Sequence, residues 1–569
     1  TNVMNAAMAG ALNNTGVGHQ ALSAITTGDS NTAFGSTALY NTNVGAENVA
    51  MGYKALFTNS VGDDNVAIGN VALHTNASGD NNTAVGSVSG YSVTTASGSA
   101  FLGYQAGRSV STGNDNIAIG NSAMYGGTVT GDNNIAIGAS AGDALTSGKE
   151  NVLIGADAGG AMTSPNRNTA IGTGAGAAIN NSAENTLVGW HAGYQFDTEA
   201  GNTALGAEAL SGNGSTSYSV AIGLQALDAA ATFDGTVAIG TTALTDLTSG
   251  ERNIAIGYQT LKDLTIGDDN IALGYQALSK LGTSTHANRN IAIGTYALLS
   301  AANNNINDNI AIGFGALSQS VHSDGDNNVA IGTNAMSDLT AGAWGNVAIG
   351  EGSLRRTNHA DSAGSTAVGY FALNANVSGI GNVAVGFSAL KVEDDGDHNT
   401  AIGYEALKAQ TGTSGIVGNT AVGYEAGVKI TTGKNNTVLG SQALSNETDG
   451  DYNVVIGWKA ARNMTGALDN VIIGYKAMAN IDNNPGDEIA NCVAIGYEAF
   501  LGSDNNSTGT TTDANGTIAI GHSSLKVLTT GIGNVAVGFE ALSAENDGDQ
   551  NTAIGYQALK AQTGTTGQV

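Results

Sequence analysis

Asn65-Val66-Ala67-Ile68-Gly69, Asn253-Ile254-Ala255-Ile256-Gly257 and Asn551-Thr552-Ala553-Ile554-Gly555 are three copies of one phrase that runs through the whole chain. Registered on the closing Gly, 31 copies occur between Gly18 and Gly555, and 21 of the 30 gaps between them are 17 residues long. The other gaps run from 18 to 25 residues. A short fixed period over a whole chain defines a repeat architecture, and every other motif has to be placed within it.

With the Gly as position 0, position -3 is Thr, Val or Ile in every copy but one, Ala100. Position -1 is always apolar, and position -2 is Ala in 24 of 31 copies. β-Branched residues at a spacing of two make a short strand. Hydrophobicity alone puts the branched -3/-1 face inside and leaves the flat Ala/Gly face of the strand outside. Positions +3 and +4 read Ala-Leu in 16 of 31 copies and are expected to form a second short strand or bend. The remainder of the repeat is Gly, Asp, Asn, Ser and Thr, the chemistry of turns. Seventeen residues are too few for a helix, a strand and their loops. They suffice for one coil of a parallel β-solenoid, so the fold class is all-β, with about 31 coils. Coils stacked at the inter-strand spacing would give a rod roughly 150 Å long. Residues 1–569 read as one continuous solenoid, with regular coils at 15–278, longer-loop coils at 279–369 and mixed coils at 370–569.

Position -4 is Asn in 25 copies, among them Asn65, Asn116, Asn134, Asn253, Asn270, Asn382, Asn399, Asn534 and Asn551. An amide repeated in every coil can pass hydrogen bonds along the stack and satisfy turn backbone groups. The exceptions are Ser99, Ser219, Thr236, Ser365, Cys492 and Thr517, all small. Cys492 therefore reads as a small residue in the ladder, not as a nucleophile. As the lone cysteine it also leaves no internal disulfide. Only two or three large apolar residues fall in each coil, which is little burial to set against the entropy of ordering it. The small-residue outer face is therefore expected to pack against identical chains, in a parallel homo-oligomer.

Composition narrows the partners. The net charge is -28, which repels nucleic acid and anionic membrane. No apolar run is long enough to span a membrane as a helix, so direct membrane insertion is not expected. The eight His residues are scattered without metal-ligand spacing, and no nucleophile elbow or phosphate loop occurs. No enzyme activity and no resident cofactor are expected. Acidic turns such as Asp63-Asp64, Asp268-Asp269, Asp324-Gly325-Asp326, Asp394-Asp395-Gly396-Asp397, Asp449-Gly450-Asp451 and Asp547-Gly548-Asp549 offer carboxylates that could hold Ca²⁺. They match neither the EF-hand loop nor the calcium β-roll repeat, and read first as solvated turns. Position +1 is aromatic in 15 of 31 copies. The dense run that includes Tyr404, Tyr424, Trp458, Tyr475 and Tyr497 is a candidate ligand track, with a packing column as the plainer alternative. The longer inserts at 478–492, 502–517, 279–290 and 303–309 are the places where loops on a rigid scaffold would carry specificity.

The Asn-x-Ala-Ile-Gly stretches at 116–120, 134–138 and 290–294, with their siblings, resemble the head repeat of trimeric autotransporter adhesins, the YadA-like head. Similar repeats occur in phage tail fibres. The resemblance covers the chain from Thr15 onward. It implies a left-handed parallel β-roll, three identical chains per head, and an extracellular fibre on a cell or virion surface. Such a fibre attaches to host matrix, glycan or cell-surface ligands. The coil here is longer than the family's usual one, the signature Asn sits differently, and no stalk, neck or anchor segment is recognisable. Residues 379–415 nearly repeat at 531–567, and the second copy stops before its next coil. More coils are therefore expected on either side. A structural subunit of an extracellular filament is the main alternative. Ice binding by a flat β-face is a weaker one, since the Thr at -3 are expected to point inward.

Overall fold

The computed structural model describes residues 10–195, 200–212, 214–229, 232–281, 286–301, 306–320, 325–339, 343–356, 362–412, 415–481, 489–502 and 514–564. Among them there is no α-helix, and the fold is a parallel β-solenoid. The chain divides into two compact units, Thr1–Leu273 and Gly274–Val569. Among the described residues the first unit carries sixteen signature strands, from Thr15–Val17 to Ile271–Leu273. The second carries fifteen, from Ile291–Ile293 to Thr552–Ile554. Each strand is three residues long and pairs in parallel, in register, with the same three positions of the neighbouring coil. Val66, Ala67 and Ile68, for example, lie beside Thr83, Ala84 and Val85.

The strands are short because the repeat Gly turns the chain out of the sheet. Gly69 has φ +141°, a conformation closed to residues with a Cβ. A Cβ built there would stand 2.3 Å from the carbonyl oxygen of Gly86, so each Gly also lets the next coil approach. Three further residues per coil adopt the left-handed region, at -5, +2 and +4, as in Asp64 (φ 57°), Lys54 (φ 52°) and Leu56 (φ 49°). These are the corners. They are held by coil-to-coil backbone bonds, such as Leu56 N–H to Ala72 O (2.9 Å) and Lys54 N–H to Ser36 O (3.0 Å). Such bonds over-determine a conformation that a free chain avoids. The Ala-Leu at +3/+4 accordingly forms a turn and not a second strand.

The inside of a coil is small. In the coil closed by Gly69 it comprises Asn65, Ala67, Ala72, Leu73 and the +7 residue Asn76, all fully buried. In every signature strand the middle residue is buried, except Gly16 at the first, and the outer two never are. The expected facing is therefore reversed: Ala at -2 points in, and the branched residues at -3 and -1 point out, with the Thr of -3 among them. The cause is volume. Leu at +4 and the +7 side chain fill the narrow interior, and only a small residue fits opposite them. Where -2 is bulky, +4 gives way. Phe101 lies between Gly90 and Gly107, Leu153 between Gly142 and Gly159, and Leu187 meets Gly176. A Cβ on Gly107 would come within 2.1 Å of Phe101 Cδ1. Close packing of this kind trades volume between facing positions.

Of the expected specificity loops, 482–488 (with Pro485), 503–513, 282–285 and 302–305 lie outside the described residues, as does Asp324 of one acidic turn.

Candidate functional site

The reversal creates a surface stripe built from the -3 and -1 side chains. No copy of the repeat has a charged residue at either position, in a chain of net charge -28. Phe34 (56 % exposed), Leu102 (51 %) and Leu205 (47 %) show how openly it faces outward. Large contiguous apolar surface is the kind of feature that interaction sites display. The stripe is also repetitive, because the strands that carry it pair in register.

Beside the stripe, the +1 aromatics form stacked columns in the second unit. Tyr370, Phe387, Tyr404 and Tyr424 follow one another at 5.1–5.3 Å with nearly parallel rings. Ser441 interrupts the run at its +1 position. It resumes with Trp458, Tyr475 and Tyr497 at 4.9 and 4.8 Å, then His522, Phe539 and Tyr556. Lys459 and Lys476 lie over the Trp458 ring at 4.3 and 5.7 Å. Each ring in these runs turns its faces to its neighbours, so the columns present ring edges and hydroxyls to solvent. A second column, not expected from the sequence, stands at +5: Tyr40, Phe57, His74 and Tyr91, at 4.9–5.1 Å. Burial, with Lys54 adding to it, pushes the His74 imidazole below its usual value.

The -4 amides are linked from coil to coil. Asn48 Oδ1 accepts from the backbone N–H (3.0 Å) and the side-chain amide (3.1 Å) of Asn65, and Asn65 donates in turn to Gly79 O (2.8 Å). Asn134 bridges Asn116, Asn151 and the Gly148 carbonyl in the same way. Asn253 and Asn270 are joined, as are Asn382 and Asn399. Asn534 receives the backbone N–H of Asn551. Asn551 is partly exposed and is bonded by Gln562. Ser99 carries half of the pattern, accepting from Asn116 N–H at 3.2 Å. Cys492 takes the Asn position too. Its backbone N–H donates to Asn470 Oδ1 (2.9 Å), and burial pushes its thiol up to about 11, leaving it protonated at neutral pH.

The acidic turns have a structural use for their carboxylates. The Asp at -6 accepts the backbone N–H of the preceding coil's -6 residue, as in Ala46 to Asp63 (2.7 Å), Asp63 to Asp80 (2.8 Å) and Ile380 to Asp397 (2.8 Å). Among the described residues no group of three or more His, Cys, Asp or Glu is placed to hold a metal ion. Three glutamates at +7 are buried instead. Glu447 accepts from the N–H groups of Thr448, Asp449, Gly450, Gly466 and Ala467, two of them in the next coil. Glu545 is held similarly by Gly548 and Gly564. Glu393 has a poorer nest, with Gly396 N–H at 2.7 Å and Asn399 Nδ2 at 3.3 Å. Burial, helped by neighbouring Asp394, pushes its carboxyl up to about 7.

Comparison with known proteins adds no relative: no protein-family model matches the chain, and no curated protein matches it.

Proposed function

We propose that this chain is a non-enzymatic, extracellular fibre protein that assembles in parallel with identical chains and attaches to surfaces or host components. The observation that supports assembly is the uncharged stripe of outward Ile, Val, Leu and Thr. A partner that covers it must offer apolar groups at the same rise per coil. A second copy running in the same direction has that rise by construction, and homo-oligomers close by symmetry. The resemblance to YadA-like heads favours three chains around a common axis, on a cell or virion surface, as in adhesins or tail fibres. Thr holds only 11 of the 31 positions at -3, and none between Val220 and Val347. The stripe is therefore better suited to packing than to ordering water as an ice face.

The test is the mass in solution. Sedimentation of the wild-type chain is expected to give three times the chain mass. Ile137→Glu with Ile154→Glu, both on the outer face, is expected to lower that mass while leaving the β-sheet circular dichroism in place. A folded wild-type monomer at micromolar concentration would overturn the assembly. Electron microscopy of the same material separates the two uses of such an assembly. Discrete particles with free ends fit an adhesin or tail fibre, and indefinite filaments fit a structural subunit.

A further inference from the structure

Near the start of the second unit the aromatic column shifts by one position. The +1 residue after Gly294 is Thr295, and Tyr296, one position on, takes the place between Tyr275 and Phe314. Its backbone is left-handed (φ 59°), and its ring crosses Tyr275 at 5.5 Å and 84°, and Phe314 at 6.0 Å and 74°. Elsewhere in the unit the +1 rings lie face to face. Perpendicular rings cover each other poorly, so aromatic surface stays open here.

That surface lines a cleft of about 390 Å³, within the size range of small-molecule sites. Ser318, Gln319, Asn334 and Lys280 are polar residues of its lining. Among the described lining residues Lys280 is the one formally charged, in a chain of net charge -28. Two of these residues sit in one short parallel ladder. Lys280–Leu281, Ser300–Ala301 and Gln319–Ser320 pair in parallel, so Lys280 and Gln319 flank Ser300 in register. Gly315 lets the wall close up, since a Cβ there would lie 2.7 Å from Asn334 Oδ1. Ser318 Oγ donates to Ser337 O at 3.3 Å, which leaves its lone pairs to accept.

We infer that this cleft binds an acidic saccharide. A pyranose ring has C–H faces that rest on aromatic rings and a rim of hydroxyls that both donate and accept. Tyr296 and Phe314 supply the rings. Gln319 and Asn334 supply amides, which pair with hydroxyls in both senses. The Lys280 ammonium selects a sugar carboxylate over a neutral hydroxymethyl group. A polyanion such as nucleic acid finds one cation here and a repelling surface beyond it. The inference deepens the adhesive reading above. It uses none of the -3 or -1 side chains, so failed assembly with saccharide binding intact would sink that reading alone.

The experiment is saturation-transfer NMR on the full chain with methyl β-D-glucuronide and, separately, methyl β-D-glucoside, followed by titration. Transfer to the ring C–H protons of both is expected, with the glucuronide bound more tightly. Phe314→Leu, at an exposed position, is expected to weaken both by about fivefold, the worth of an aromatic contact. Lys280→Gln is expected to bring the glucuronide down to the glucoside and leave the glucoside unchanged. If Phe314→Leu lowers the melting temperature, exposed Gln319→Ala is to weaken both sugars in its place. No transfer to either sugar, transfer indifferent to these variants, or equal binding of the two sugars with Lys280→Gln silent would overturn the inference.

Discussion

Replacing Gly69 by Ala tests the stacking of coils directly. Two costs add. Ala must adopt φ +141°, a region essentially reserved for Gly, at about 1–3 kcal/mol. Its Cβ must then be moved away from the Gly86 carbonyl oxygen, which stands 2.3 Å from it. An ordinary contact needs roughly 1 Å more, and backbone cannot yield that without parting the two coils. The bonds at risk are Gly69 N–H to Met51 O and Gly86 N–H to Ile68 O, both 2.8 Å, each worth about 1 kcal/mol. The expected loss is therefore about 3–5 kcal/mol, local to these coils. Gly235→Ala is the control in the same unit. Its φ is +62° and a Cβ there meets only Arg252 Cγ at 4.0 Å, so it should cost about 1–2 kcal/mol. Stacked repeats unfold piecewise, so hydrogen exchange is a better readout than a single melting curve. Amides of residues 66–86 should lose protection in Gly69→Ala far beyond any loss around Gly235 in the control. Equal losses in the two variants would refute the close approach of coils.

Gly107→Ala should destabilise by about 1–3 kcal/mol through overpacking against Phe101, and Phe101→Ala in the same chain should restore part of it, as read by urea denaturation. Asn134→Ala removes acceptor and donor from three coils at once and should cost about 2–3 kcal/mol, while Asn134→Ser should cost less, since Ser99 already fills that position elsewhere. Glu393 is raised in the folded state to about 7 from its usual 4.5, so the folded chain binds its proton more tightly than the unfolded one. Its contribution is complete below pH 4.5 and is lost as pH rises through 7, on the order of 3 kcal/mol in all. Glu393→Gln should flatten that slope in melts run between pH 5 and pH 8, and an unchanged slope would contradict the buried placement.

The strand, its period and its partners were legible because they depend on positions that never drift: Gly at 0, branched residues at -3 and -1, Asn at -4. Which way the strand faces was not legible from hydrophobicity, since Ala and Ile both count as apolar. The signal was present in another form. Phe101, Leu153 and Leu187 each coincide with Gly at the +4 positions around them, a trade that makes sense only if -2 and +4 meet inside. The +5 column of Tyr40, Phe57, His74 and Tyr91 was harder to see, because its unbroken run of rings spans only four coils. The buried glutamates could not have been distinguished from other acidic turn residues. What holds Glu447 is backbone N–H of its own and the next coil, and that geometry has no side-chain signature.

The exchange of bulk between facing positions also bears on how such a gene can change length. Phe101 is accommodated by its own coil and the one before it, so neither could be cut out or transplanted alone without leaving a void or a collision at the junction. The near-duplicate at 379–415 and 531–567 carries Glu393 together with Gln410, and Glu545 together with Gln562. Both +7 residues of two adjoining turns therefore recur together, and the repeated stretch is longer than one turn of the chain.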